Sequence, residues 1–408
     1  MSRRITLIIT AVLVLAYGLI SVHPAYKRVQ GVKHGRDYAT YHYAVAEALD
    51  GGDPYDTKAL SARGKAERTR RRVHPFFYPP PFLLGMPWAA GLSLPMGYKV
   101  FFWLSQLGIL GVLVVMWRWF RAPPVLLGLL ACTLTPITDS AKMGQANALV
   151  LLLAVAGLWR MSGGLVGAAA MAKMSPALYL FAWAARKAWR PLLLAIAMAI
   201  ALSLATLPLV NLDAQLRFYT EVLPGFSSGD YHGLTVKIAL PANHSIPDLF
   251  NQYWPGPDRH TLSDVAQHGS RVVSLLALGG LIWLARKRRD PLGDANLYAA
   301  FSVLMLIAPV YTYEHHLVAA LFPAAALGTA LLAGRLRWWG WVAALPAYFF
   351  VAWPLYWLRP LQKMAPDLKW QLQESKFFGL VVLGLLCAVV AWRSPTREPE
   401  ISSGPDAG

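Results

Sequence analysis

The sequence predicts an all-α polytopic membrane protein, and three observations predict it. Of 408 residues, 56% are hydrophobic and only 14% are charged, where a soluble globular domain carries about 25% charged residues. The shortfall comes from long apolar runs repeated along the chain, and about 20 such residues cross a bilayer as a helix. No stretch shows the short alternation of a membrane barrel, so helices must satisfy the backbone in lipid.

The net charge of +17 would suggest nucleic acid in a soluble protein. Here most basic residues sit in short loops, the pattern that orients helices and touches anionic lipid, so no nucleic-acid partner is expected. Cys132 and Cys387 lie inside apolar runs. They have neither metal-type spacing nor a disulfide framework.

The first element is "RRITLIITAVLVLAYGLISV". Its apolar core, residues 5–22, is longer than a signal peptide's and lacks a small-residue cleavage site. It reads as a retained span with Arg3 and Arg4 inside, placing residues 23–75 outside. Further apolar segments lie near 76–92, 97–119, 123–137, 144–160, 163–184, 190–210, 271–286, 295–311, 317–333, 338–357 and 376–393. With 76–92 and 123–137 short enough to be re-entrant, the count is about ten to thirteen helices. The basic loops "ARKAWRP", "ARKRRDP" and "GRLRWW" then face the cytoplasm; "WRWFRAPP" is the exception and would face out. Residues 1–393 form a single integral domain with long outer loops at 23–75 and 211–270. A shorter outer loop spans 358–375, and the polar tail 394–408 is expected to be disordered in the cytoplasm. The large polar surfaces share one side, so chemistry is expected at the outer face of a plasma (inner) membrane.

Candidate chemistry starts in "GRDYATYHYAVAEALDGGDPYD", residues 35–56. Tyr38, Tyr41, Ala44 and Val45 fall at helical spacing opposite Glu47 and Asp50, as in an amphipathic helix lying at the interface. Asp37 has two readings: an N-cap for that helix, or a general base held beside the membrane. "GGDPYD" is turn chemistry, with Tyr55 either packed or facing a substrate. Residues 23–75 carry eleven Lys and Arg against six acids. These are a solvated or headgroup-touching loop, or else some of them, with Arg36, Arg70, Arg71 and Arg72 as candidates, neutralise a phosphate. "FFYPPP" enters the membrane in extended form because its prolines end helices, and Tyr78 is a candidate substrate contact there.

In "SAKMGQANALV", Gln145 and Asn147 stand at the mouth of an apolar helix, where amides cap it or bind sugar hydroxyls. In "MAKMSPALYL", Lys173 is an intramembrane cation that needs a partner, a cavity or a route to the surface. "APVYTYEHHLVAALFP" brings Glu314, His315 and His316 to the outer end of a span as candidate substrate ligands. Adjacent histidines diverge around a helix, so no metal site is expected, and an imidazole donating to a phosphate or sugar oxygen fits better. No Walker-type or dinucleotide-binding glycine loop appears, which favours a lipid-linked over a nucleotide-activated donor. No cofactor is expected.

Taken in order, "GRDYATYHYAVAEALDGGDPYD", "FFYPPP", "MGQANALVLLLAVAGL", "GLVGAAAMAKMSPALYL" and "EHHLVAALFP" resemble glycosyltransferase family 87 of the GT-C superfamily, over roughly residues 5–325. The resemblance implies a GT-C-like bundle and a mannosyltransferase that uses polyprenyl-phosphate-mannose and a glycolipid or glycan acceptor. It implies an aspartate base at Asp37 and a histidine, His315 or His316, near the donor phosphate. Two alternatives are a transporter or flippase of lipid-linked saccharides and a GT-C transferase using another sugar such as a pentose. Against the transporter, no internal repeat is visible.

Overall fold

The computed structural model describes residues 3–31, 35–228, 238, 243–258, 260–354, 359–364 and 372–396. The expected tail from 397 on, and parts of the second and third outer loops, lie outside the described residues. Among these, structure is helical apart from one isolated antiparallel bridge between Arg289 and Thr396.

Local chemistry sets the helix ends. Prolines open the helices Leu94–Phe120, Pro124–Thr133, Pro136–Met143 and Pro291–Ile307, where a missing N–H costs nothing. Ser245, Ser263 and Asp290 cap theirs by accepting from the backbone N–H groups of Asp248, Ala266 and Gly293. Five helices are long and apolar enough to cross a membrane: Leu94–Phe120, Trp189–Thr206, Asp264–Ala285, Glu314–Leu332 and Ser375–Arg393. Four shorter apolar helices and one pair bent by 58° at residues 134–135 accompany them. Leu107, Leu193, Leu276 and Leu385 lie exposed on these helices, an arrangement that hydrocarbon surroundings favour and water does not. The chain is an all-α polytopic membrane protein.

Three expected elements differ. The segment 76–92 is not a span: its prolines leave a six-residue 3₁₀ turn, Pro80–Gly85, and a four-residue helix, Pro87–Ala90, each far shorter than a bilayer. The segment 163–184 is two short helices, Gly163–Ala172 and Leu178–Ala185, broken where Lys173 adopts extended backbone. Gly163 lies against Pro191 of the next helix, Trp189–Thr206, so the chain has returned to the level where the segment began, with Lys173 near the far point of the fold-back. The third is the Arg36–Leu49 helix, expected at the interface. It is enclosed by protein instead: every residue from Tyr38 to Val45 is buried, with Tyr38 packed on Tyr98 and Phe101, and Tyr41 on Tyr78 and Phe82.

Two ends of the bundle can be told apart by what gathers there. At one, three basic loops converge: Arg186 pairs with Asp294 at 2.6 Å, Arg335 pairs with Asp290 at 2.6 Å, and Arg289 donates to the carbonyls of Leu284 and Ala391. The Pro291–Ile307 helix starts at this basic end and runs about 25 Å to the other, where Ala308 and the Glu314–Ala320 turn border a cavity. The "WRWFR" corner belongs to the basic end. Trp119 packs on Tyr298 and Phe322, and Tyr298 accepts from Arg186. The expected exception to the charge pattern therefore disappears. Removing 76–92 from the spans turns Leu94–Phe120 around, and Arg118 and Arg121 join the other basic loops.

Candidate active site

Glycines dock the first long polar segment onto the bundle. Gly35 adopts φ +74° and its N–H donates to Lys142 O at 2.8 Å. Gly144 ends the Pro136–Met143 helix at φ +71°. A Cβ on Gly35 would stand 2.8 Å from the Tyr98 ring, and one on Gly144 would stand 2.5 Å from Tyr38 Cβ. Only glycine fits either the dihedral or the space. The tight turn at Gly144 delivers the next residue, Gln145, to the first turn of the Arg36–Leu49 helix.

Gly35, not Asp37, holds the N-cap position of that helix. The Asp37 carboxylate instead accepts from Gln145 Nε2 at 2.7 Å. Tyr78 Oη donates to Gln145 Oε1 at 2.7 Å, and Tyr41 Oη lies 2.6 Å from Tyr78 Oη and 3.2 Å from the same amide oxygen. Phenols donating to the oxygen fix the amide so that its N–H₂ must face Asp37. Asp37 keeps 25% of its side chain open, onto the cavity. Burial is the largest influence on its carboxyl and pushes the pKa up to about 6; the Gln145 hydrogen bond and the charges of Lys173 and Arg36 pull the other way.

A second set of side chains faces the same space. Lys173 Nζ donates to Asn147 Oδ1 at 2.6 Å, and Asn147 Nδ2 donates to His315 O at 2.9 Å. The extended backbone at Lys173 is what lets its side chain leave the helix axis for this partner. His315 Nε2 is 4.0 Å from Asp37 Oδ2. His316 Nδ1 accepts the Tyr313 N–H at 3.3 Å, which leaves Nε2 as its donor.

These residues line one cavity of about 970 Å³. Its wall includes Arg36, Asp37, Tyr78, Gln145, Asn147, Lys173, His315 and His316 together with apolar Leu151, Leu178, Leu275, Met305 and Leu306. Five of the residues singled out in the sequence stand elsewhere. Glu314 turns away to His244 at 3.1 Å and Lys376 at 2.9 Å, a largely buried cluster assembled from residues far apart in the sequence. Tyr55 is buried between Phe76 and Phe218 and donates to Tyr78 O. Arg70, Arg71 and Arg72 do not line the cavity; His74, just after them, does. Glu47, Asp50 and Asp53 of the opening segment are held by Arg63 and Arg217.

Sequence reasoning missed one wall. Gln267, Ser270, Arg271 and Ser274 of the Asp264–Ala285 helix all line the cavity. Their i, i+3, i+4, i+7 spacing was a visible signal. Among the described residues no group of three or more His, Cys, Asp or Glu is arranged to hold a metal ion.

A cavity bordered by helices apolar enough to cross a membrane, with one oriented carboxylate and nearby cations, suits group transfer to a hydroxyl, and the comparisons with known proteins agree. Residues 76–309 match the model of "Glycosyltransferase family 87". A curated relative from Mycolicibacterium smegmatis (strain ATCC 700084 / mc(2)155), named polyprenol-phosphate-mannose-dependent alpha-(1-2)-phosphatidylinositol pentamannoside mannosyltransferase, is 26% identical over 399 residues, which cover 90% of this chain and 87% of the relative. No solved structure matches the chain. The chain belongs to glycosyltransferase family 87 and is a membrane glycosyltransferase.

Proposed function

We propose that the protein moves a mannosyl residue from a polyprenyl-phosphate-linked donor to a glycolipid or glycan acceptor at the outer membrane face, by inverting single displacement with Asp37 as base. The observation that carries this is the placement of Asp37: a half-buried carboxylate, oriented by Gln145 and open to a large cavity lined by both polar and apolar side chains. The polyprenol-phosphate-mannose dependence of the relative's name supports the donor class.

The parts take these roles. Asp37 removes the proton of the acceptor hydroxyl as that oxygen attacks the anomeric carbon. The bond from the anomeric carbon to the phosphate oxygen breaks, and the polyprenyl phosphate departs with the electron pair. It leaves as a dianion that needs no proton to be a good leaving group, so one carboxylate suffices where glycoside hydrolysis uses two. Lys173 and the Nε2–H of His316 stabilise charge growing on that phosphate. His315, beside Asp37, orients the reacting hydroxyls. The apolar wall takes the first isoprene units of the donor.

The test is sugar transfer by purified protein in nanodiscs, with labelled polyprenyl-phosphate-mannose, a pentose analogue of it, and membrane lipid extract. Asp37→Asn keeps the hydrogen-bonding shape and removes the base. Transfer should fall about 10²- to 10⁴-fold while donor binding holds. Full activity in Asp37→Asn would remove the base assignment, and turnover of the pentose donor alone would replace the sugar.

A further inference from the structure

The cavity carries more positive charge than a lipid phosphate-sugar requires. Its described wall holds three side chains that are cationic at neutral pH, Arg36, Lys173 and Arg271, against a single carboxylate, Asp37. A donor phosphodiester contributes one negative charge, so a surplus positive charge remains when donor and ionised Asp37 are both present. Arg36 and Arg271 stand exposed on that wall, and a surplus of positive charge beside largely apolar side chains favours a second anion.

Arg271 is the side chain placed to meet it. Lys173 is tied into the Asn147–His315 array beside Asp37. Arg271 instead stands on a different element, the second turn of the Asp264–Ala285 helix, one of the helices apolar enough to cross the membrane. Among the described residues the Arg271 side chain has neither an ion-pair nor a hydrogen-bond partner. An arginine on a spanning helix is costly, and its lining a cavity marks function unless it merely reaches headgroups. It is flanked on the cavity side by Gln267 one turn before and Ser274 one turn after, both uncharged hydrogen-bonding groups. A guanidinium with an amide and a hydroxyl beside it suits a phosphate joined to a polyol.

We propose that Arg271, with Gln267 and Ser274, forms the acceptor subsite, and that the acceptor is an anionic glycolipid whose phosphate sits on the Arg271 guanidinium. This rests on the transferase reading and specifies its second substrate. Binding the acceptor phosphate on that wall sets the distance from its anchored headgroup to the sugar hydroxyl that reaches Asp37. Arg271 is thus a specificity-determining residue rather than part of the reacting array.

The experiment uses full-length protein in nanodiscs of zwitterionic lipid, so that surrounding lipid supplies no competing anionic headgroup. Acceptor lipids from membranes are split by anion exchange into neutral and acidic fractions, and wild type, Arg271→Gln and Arg271→Lys are assayed with labelled polyprenyl-phosphate-mannose. Transfer should occur with the acidic fraction. Arg271→Gln should raise the acceptor KM about 10- to 100-fold, the range expected for losing a hydrogen bond to a charged group, with the donor KM changed less than about twofold. Arg271→Lys should recover much of the loss, and the unchanged donor KM shows the variants to be folded. Transfer confined to the neutral fraction overturns the proposal. So does an Arg271→Gln effect falling on the donor KM, or no effect, as for an arginine that only touches headgroups. Failure of wild type to consume donor with either fraction would instead overturn the transferase reading, and the subsite with it.

Discussion

Asp37 can act as a base only when ionised, and its burial sets where that happens. A carboxyl whose pKa is pushed up to about 6 is protonated below that pH. The transfer kcat/KM should therefore fall tenfold per unit as pH drops below about 6, and level off above it. Gln145 works against burial, because its amide N–H donates to the charged form. In Gln145→Leu the carboxyl should rise further, carrying the acid limb of the pH profile upward by about one to two units. A pH profile that keeps its midpoint in Gln145→Leu would reduce the amide to packing. At this scale the sequence exposed some residues and hid others for physical reasons. Asp37, Gln145, Asn147 and Lys173 stood out because polar groups are costly beside apolar runs. Glu314 looked equivalent, but its partners His244 and Lys376 are far away in sequence, and no local pattern shows such a neutralising contact. Arg271 went unread because an arginine at the first residue of an apolar segment reads as the segment's boundary.

Among elements, the breaks matter more than the helices. Apolar length was legible for nearly every segment, yet length alone cannot separate a span from a hairpin. The segment 163–184 has enough apolar residues to cross, and only the Lys173–Pro176 stretch betrays the fold-back, since proline disfavours helical backbone just before it. The Gly144 turn is the most exposed of these joints to test. Alanine there must hold φ near +71°, at a cost of about 1–2 kcal/mol, and its Cβ would press on Tyr38. Gly144→Ala should therefore move Gln145 from Asp37 and cut transfer at least tenfold. The Tm should drop only a few degrees, because the joint is one contact in a large bundle. A loss of folding that equals the loss of activity would mean the turn serves the bundle rather than the site.

For the whole molecule, sidedness follows from which helix ends meet. The cavity gathers the ends near Asp37, Gln145, Lys173 and His315, while Arg186, Arg289 and Arg335 gather at the other. Sequence charge suggested this division for the second half of the chain but misplaced the "WRWFR" corner, because the proline-broken 76–92 segment was counted as a possible crossing. If positive charge is retained on the cytoplasmic side, the cavity opens outward, where a lipid-linked donor would arrive. Single cysteines at Lys58, Arg121 and Lys187, all exposed, in a background with Cys132 and Cys387 replaced, test the arrangement in intact cells with a membrane-impermeant thiol reagent. Lys58→Cys should label from outside, whereas Arg121→Cys and Lys187→Cys should label only after the membrane is opened. Labelling of Arg121→Cys from outside, with Lys187→Cys protected, would restore 76–92 as a crossing and break the convergence of Trp119 on Tyr298. Labelling of Lys187→Cys from outside with Lys58→Cys protected would turn the whole bundle over and place the cavity, and Asp37 with it, on the cytoplasmic face.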